Sequence, residues 1–436
     1  MLFRRALIGA TLALAATTAQ AAPVEIEFWT PGLGAIMPVV EKHVAAFNAA
    51  QATYKVNLVP KGSYDETLNA VIAAYRARKQ PALTIAVGAS TQTMMLSNAI
   101  VPVQDVMTGA GKAVDWSGFL QPVLNYFRDT KGNLLSMPFN SSTPLLWYNV
   151  DAFAKAGLTE PPKTWDQVGE YAAKLRAAGY ECGYTSAWQV WVNIDNYSFV
   201  NNQPVATKAN GMGGLDAEFV FNKTSVAKHI ARLQEWAKDG RFQYTGRQWQ
   251  GAHAAFLGEK CAMMTESSAG YAGIAKGAKF KFAAAFLPLE TGVAEGRNSL
   301  IGGGSIWVLK GHKPEHYKAA AEFLAFLTRP EIQADWHKRT GYVPITRAAY
   351  ELVKGEGYYA QNPHQELAVL QLSRVNATEN TRAVRLGNYA QYVAAIEEEL
   401  ENIWAQKKPA QRGLDDAVRR GNEILRRFEA QAKTAQ

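Results

Sequence analysis

PFNSSTPLLWYN, residues 138–149, carries four small polar side chains, Asn140, Ser141, Ser142 and Thr143. They separate the apolar pieces LLSMPF and LLWY, and Pro144 follows them. Burying polar groups is costly unless each finds a partner. The stretch therefore reads as a loop between two strands, facing either water or a ligand. Upstream, VEIEFW alternates from Val24, the pattern of a strand. Val40, Val44 and Phe47 share one helical face, YKVNLVP is a short strand, and Leu68, Val71, Ile72 and Tyr75 recur at helical spacing. ALTIAV is apolar without alternation, as expected of a strand covered on both faces. Strand alternating with helix implies an α/β fold with a largely parallel sheet.

The pattern restarts after Pro138. LLWYN is a strand. PPKTWDQVGEYAAKLRAAGY is a helix opened by a Thr164/Gln167 capping box, with Val168, Tyr171, Ala172 and Leu175 inward and Gly179 as its stop. SVAKHIARLQEWAKDG is a second helix, CAMMTES and FKFAAAFLP are strands, and the chain after about Asn388 is mostly helical. No tandem repeat or low-complexity linker separates the halves. Two α/β lobes joined by several crossings, with a ligand at the carboxyl ends of the strands, is the implied architecture.

The N-terminus reads as an export signal. Arg4 and Arg5 precede the apolar run Ala6–Ala16, and Ala19-Gln20-Ala21 has the small-x-small form of a cleavage site. A buried helix is the competing reading of that run. Cutting after Ala21 would leave 415 of the 436 residues, more than one compact core accommodates. The net charge of +8 would fall to +6 with the two arginines gone. This basic balance suits an anionic ligand or surface. Its residues are scattered rather than grouped, which argues against nucleic acid. Cys182 and Cys261, in an oxidising compartment, are either one disulfide or two buried thiols.

The motifs of common enzyme classes are absent. GAGKA at Gly109 lacks the phosphate-loop spacing, GGGSI at 302–306 puts Ile where a nucleophile elbow needs Gly, and no H-E-x-x-H occurs. The seven histidines are dispersed, so neither a metal nor another cofactor is expected.

Several segments stand in a telling order: KGSYDETLNA, FNSSTPLLWYN, DAFAKAGL, PPKTWDQ, CGYTSAWQVW, CAMMTESS, IGGGSIWVLKG, HKRTGYVPIT and RGNEILRRFEA. In this the chain resembles the periplasmic solute-binding proteins of ABC importers, and within them the glycerol-3-phosphate-binding branch. The resemblance covers essentially the whole mature chain. It implies a two-lobe, type II-like periplasmic-binding-protein fold that closes over its ligand by hinge motion. The implied lobes are 22–137 plus about 290–344, and about 138–289 plus 345–436, after a signal peptide at 1–21. It further implies a monomeric, non-enzymatic periplasmic receptor. The ligand would be a small phosphorylated polyol or its diester, and the partners the permease and ATPase subunits in the inner membrane.

The same resemblance assigns ligand contacts to Tyr64, Ser142, Trp188, Trp191, Ser267, Gly303 and Tyr342. Each has an ordinary alternative: core packing for the tryptophans, turn chemistry for the serines and glycine. Two positions depart from the family pattern, which has a glutamate where Gly88 stands and an arginine where Val393 stands. Arg385 of VRLGN is a candidate substitute for that lost arginine. These departures suit a less charged or larger ligand, such as a glycerophosphodiester whose choline head stacks on Trp188 and Trp191. A sugar receptor on the same fold and a periplasmic phosphodiester hydrolase are the alternatives.

Overall fold

The computed structural model describes residues 22–434, so the expected signal peptide, residues 1–21, lies outside the described residues. Its strands, in chain order, are β1 (Val24–Thr30), β2 (Tyr54–Pro60), β3 (Leu83–Val87), β4 (Ile100–Val101), β5 (Met137–Ser142), β6 (Pro144–Asn149), β7 (Cys182–Ser186), β8 (Phe242–Gln243), β9 (Cys261–Ser267), β10 (Phe282–Ala285) and β11 (Gly302–Leu309). They form two sheets. The first runs β2-β1-β3-β11-β4, with β5 also paired to β11; the second runs β10-β6-β9-β7-β8.

Neither sheet is largely parallel. β2, β1 and β3 are parallel neighbours, as are β9, β7 and β8. β11 lies antiparallel to β3, β4 and β5, and β6 antiparallel to β9 and β10. The cause is the chain path: β11 re-enters the first sheet only after the chain has built the second, and it arrives from the other lobe. Local signals nevertheless hold. Val40, Val44 and Phe47 are buried on the Met37–Ala50 helix, and Thr164 and Gln167 form the expected capping box. The amphipathic face of the Tyr64–Arg76 helix is narrower than its spacing suggests, because Ile72 is exposed.

The opening stretch is a strand, not a loop. Asn140, Ser141 and Ser142 lie in β5, every residue of which is buried, and Thr143 beside them is buried too. Partners make this tolerable at Asn140 and Thr143, whereas Ser141 Oγ is buried without one. Thr143 Oγ1 hydrogen-bonds Ser299 Oγ at 2.6 Å and accepts from Gln371 Nε2 at 2.9 Å. Because β5 pairs with β11, the first crossing between lobes falls at Thr143 rather than before Pro138. Glu290 still belongs to the second lobe, where Arg232 grips it, and residues up to Tyr359 stay with the first, where Tyr359 Oη meets His337 Nε2 at 3.0 Å.

The second lobe is closed by its last two helices, Tyr389–Trp404 and Ala410–Thr434. Gln234 joins them to the Ser225–Asp239 helix, donating to the carbonyls of Ile403 and Lys408 and accepting from Ala410 N–H. Among the described residues no helix is long and apolar enough to cross a membrane.

Cys182 and Cys261 are register partners on the parallel strands β7 and β9, with Cα atoms 4.6 Å apart, and they form a disulfide. The bridge closes a loop of 79 residues. Loop-closure entropy gives such a crosslink about 4 kcal/mol. The paired substitution Cys182→Ala/Cys261→Ala is expected to lower the unfolding free energy by about 2–4 kcal/mol, measured by urea titration. An unchanged midpoint would show that the β7–β9 register alone holds this region.

Candidate functional site

The carboxyl ends of β3, β7 and β9 converge on one cavity of about 660 Å³. Its walls include Val87 at the end of β3, Trp188 just beyond β7 and Ser267 at the end of β9. The volume lies within the range of small-molecule sites. Both lobes contribute, because Tyr64 and Tyr342 come from the first and Trp188, Trp191 and Ser267 from the second.

Local chemistry places each wall residue. Ser63 and Glu66 form a capping box, which makes Tyr64 the first residue of its helix. Gly341, in the left-handed conformation at φ +79°, ends the Pro330–Thr340 helix and turns Tyr342 inward. The Tyr342 ring then stacks on Trp336 at 5.4 Å, and Trp336 stacks on Phe139 at 4.7 Å. Asn140 ties the two tyrosines together: its Nδ2 donates to Tyr64 Oη at 2.5 Å and Tyr342 Oη at 3.2 Å, while its Oδ1 accepts from Gly304 N–H at 3.1 Å. Burial raises both phenols, Tyr64 well above its usual range, so they remain neutral donors.

Trp188 sits at φ +50°, a rare conformation for a bulky residue. Its indole N–H donates to Glu266 Oε1 at 2.8 Å, and Ser267 N–H donates to the same oxygen at 2.6 Å. Glu266 Oε2 is buried and has no partner. Trp191 opens the π-helical turn Trp191–Asn196 and packs against Gly302, where a Cβ would strike the indole.

Five of the eight residues singled out from sequence therefore line the cavity: Tyr64, Trp188, Trp191, Ser267 and Tyr342. Ser142 and Gly303 lie behind its wall in the β5–β11 pair. There Gly303 has φ +78°, and a Cβ would meet the Asn140 carbonyl. Arg385 is elsewhere. Its guanidinium is buried, donates to the carbonyls of Tyr126 and Arg128, and lies 5.2 Å from the Tyr126 ring. Burial there lowers its pKa. It does not line the cavity, and its Nη1 is buried without a partner.

The two departures from the family pattern are explained differently. Gly88 is buried, and a Cβ on it would approach Tyr126 Cε1 to 3.0 Å, so the Tyr126 ring fills the space an acidic side chain would need. Val393 lines the cavity directly, beside Glu397.

Sequence reading missed the charge of the cavity. Asp65, Glu266 and Glu397 line it, and its basic side chains among the described residues are Arg247 and His253. Arg247 is already held by Glu401 through Nε at 2.9 Å and Nη2 at 2.5 Å. Burial lowers the His253 pKa, which favours the neutral ring. Burial pushes the Glu266 carboxyl up to about 8, against the pull of Ser267 N–H and Trp188. Glu397 is pushed up to about 7, again by burial first, with Arg247 opposing and Glu401 and Asp65 reinforcing. Glu266 stands directly before Ser267 in CAMMTESS, at the end of β9.

The profile of the bacterial extracellular solute-binding protein family matches residues 42–366. The sn-glycerol-3-phosphate-binding periplasmic protein UgpB of Salmonella paratyphi A is 44% identical over 435 residues, covering 99% of each chain. That of Escherichia coli K12 is also 44% identical, over 94% of each. Among solved structures, UgpB from Mycobacterium tuberculosis in complex with glycerophosphocholine superposes with a TM-score of 0.79 at 22% identity, covering 94% of this chain and 100% of that one. The GacH receptor of Streptomyces glaucescens, solved unliganded and with acarbose, gives 0.77 at 16% identity, covering 94% and 99%.

A carboxyl whose pKa is raised in the folded state makes stability fall with rising pH. Below its ordinary value of 4.5 both states are protonated. Between 4.5 and about 8 only the unfolded chain has ionised, so the folded state loses ground until the native carboxyl ionises too. Glu266→Gln cannot titrate. The stability difference, wild type minus variant, is expected to decline from pH 5 to 8 by up to about 1.4 kcal/mol per pH unit, followed by urea unfolding. Parallel stability curves would show an ordinary carboxyl.

Proposed function

We propose that this chain, which belongs to the bacterial extracellular solute-binding protein family, is the periplasmic receptor of an ABC import system. Its ligand is sn-glycerol-3-phosphate or a related glycerophosphodiester, which it delivers to the membrane permease. The observation that carries this reading is the near full-length 44% identity to glycerol-3-phosphate-binding periplasmic proteins. The geometry is consistent with it: one cavity is walled by side chains from both lobes, so a ligand bridges them and favours the closed arrangement.

Tyr64 and Tyr342 offer neutral hydroxyls to a polyol or phosphate oxygen, Ser267 offers a third, and Trp188 and Trp191 supply apolar walls. Such a set binds and orients a ligand without bond chemistry, which favours a receptor over a hydrolase. A sugar receptor is the second reading. It is favoured by Val393 and by Arg247 being engaged by Glu401, which leave the cavity lining without a free arginine for phosphate.

Isothermal calorimetry of residues 22–436 with sn-glycerol-3-phosphate, glycerophosphocholine and maltose tests the reading. Micromolar or tighter binding of either phosphorylated compound supports it; binding of maltose alone overturns it. Val393→Arg is expected to raise affinity for glycerol-3-phosphate about tenfold or more, because a charge-assisted hydrogen bond to phosphate contributes ~1.5–3 kcal/mol and ~1.4 kcal/mol is a decade.

A further inference from the structure

A second cavity, of about 1090 Å³, opens beside the crossings between the lobes and shares no wall residue with the ligand cavity. Ser299 is in its wall, and the Ser299–Thr143–Gln371 hydrogen bonds draw the three crossing segments together there. Four arginines line this cleft, Arg297, Arg347, Arg374 and Arg382, against one acid, Glu351, and no lysine. Arg347 begins a first-lobe helix, Arg347–Gly355. Arg297 is tied to the second lobe through its backbone N–H on the Val200 carbonyl. Arg374 lies over the Phe286 ring at 4.7 Å, just past β10 of the second sheet. A Cβ on Gly296 would strike Arg374 Nη1, so glycine there lets that guanidinium settle against the chain beside Arg297.

Elsewhere in the molecule arginines are matched. Arg232, Arg241, Arg247, Arg339 and Arg420 are each held by a carboxylate. Among the described residues none of the four cleft guanidinium groups has a salt-bridge partner, and Glu351 is in no ion pair either. Like charges around one concave volume repel, and a cleft of one sign concentrates counter-ions. The planar guanidinium fork matches two oxygens of a phosphate at once, which the ammonium of lysine does not. The cleft has more room than a single phosphate needs, so linked phosphates suit it best.

We propose that this cleft is a second binding site, for a multivalent phosphate-type oxyanion held between Arg347 of the first lobe and Arg297, Arg374 and Arg382 on the other side. The site is separate from the cavity of the transported solute and does not depend on which solute that is. An occupant gripped from both lobes ties them to each other, so its affinity is linked to their arrangement.

The experiment titrates residues 22–436 with inorganic pyrophosphate at low ionic strength by isothermal calorimetry, in wild type, Arg347→Gln, the pair Arg347→Gln/Arg374→Gln, and Trp188→Ala. Wild type is expected to bind one pyrophosphate saturably. Arg347→Gln is expected to lose about tenfold or more and the pair further still, while Trp188→Ala binds as wild type does. No saturable binding by wild type overturns the proposal. Equal binding by wild type and the arginine pair overturns it too, as does a loss in Trp188→Ala as large as that of the arginine variants, which would put the anion in the ligand cavity. Arg347 is exposed, so its single variant tests the site without disturbing the core. Near-ultraviolet circular dichroism and the thermal midpoint check the pair, and Arg347→Lys/Arg374→Lys, which keeps the charge and loses the fork, is expected to recover part of the affinity.

Discussion

Burying a polar side chain inside a strand is costly unless it is paired, and Asn140 finds its partners by gathering three distant segments. Its amide reaches Tyr64 at the start of one helix, Tyr342 at the end of another and the backbone of Gly304 on β11. With those three bonds made, the first-lobe wall of the cavity is set. Apolar replacement at 140 would leave two phenols and a backbone N–H to find new partners in a buried setting, each at a cost of about 1–3 kcal/mol. The Phe139–Trp336–Tyr342 stack acts on the same wall from behind, so aromatic packing and hydrogen bonding constrain one tyrosine from two directions. On the facing wall Glu266 has the corresponding place, fixing Trp188 through its indole nitrogen.

Much of the fold was legible because it rests on local signals. Helical spacing placed Val40, Val44 and Phe47 inward, a capping box marked the helix beginning at Trp165, and ALTIAV behaved as a doubly covered strand. What failed depends on distant partners. NSST reads as a loop facing water or a ligand because nothing local can satisfy those groups; Ser299 and Gln371, which satisfy Thr143, lie more than 150 and 220 residues away. The antiparallel entry of β11 is invisible for the same reason, being set by a path through the other lobe. At the cavity, aromatic and hydroxyl positions were recognisable from their segments. The seating of Arg385 on Tyr126 and the inward aim of Glu266 were not, since each is decided by which side chains surround it.

The cavity also shows how little the overall charge says about a site. The chain is basic, with 46 Lys and Arg against 38 Asp and Glu. Its cavity is lined by three carboxyls, and its arginine is neutralised by Glu401. Net charge sets long-range attraction and solubility; recognition depends on the few groups that lose water around the ligand.

Tyr126 has a consequence for descent. Its ring closes the space beside Gly88, and its backbone and face hold Arg385. An acid introduced at 88 would press on that ring, and shrinking the ring would remove the aromatic face beside Arg385 while leaving its two carbonyl acceptors. The three positions are therefore mutationally interlocked. A carboxylate at residue 88 requires the Tyr126 ring to give way first. Val393, which lines the cavity directly and has no such ring pressed against it, is the freer of the two departures from the family pattern.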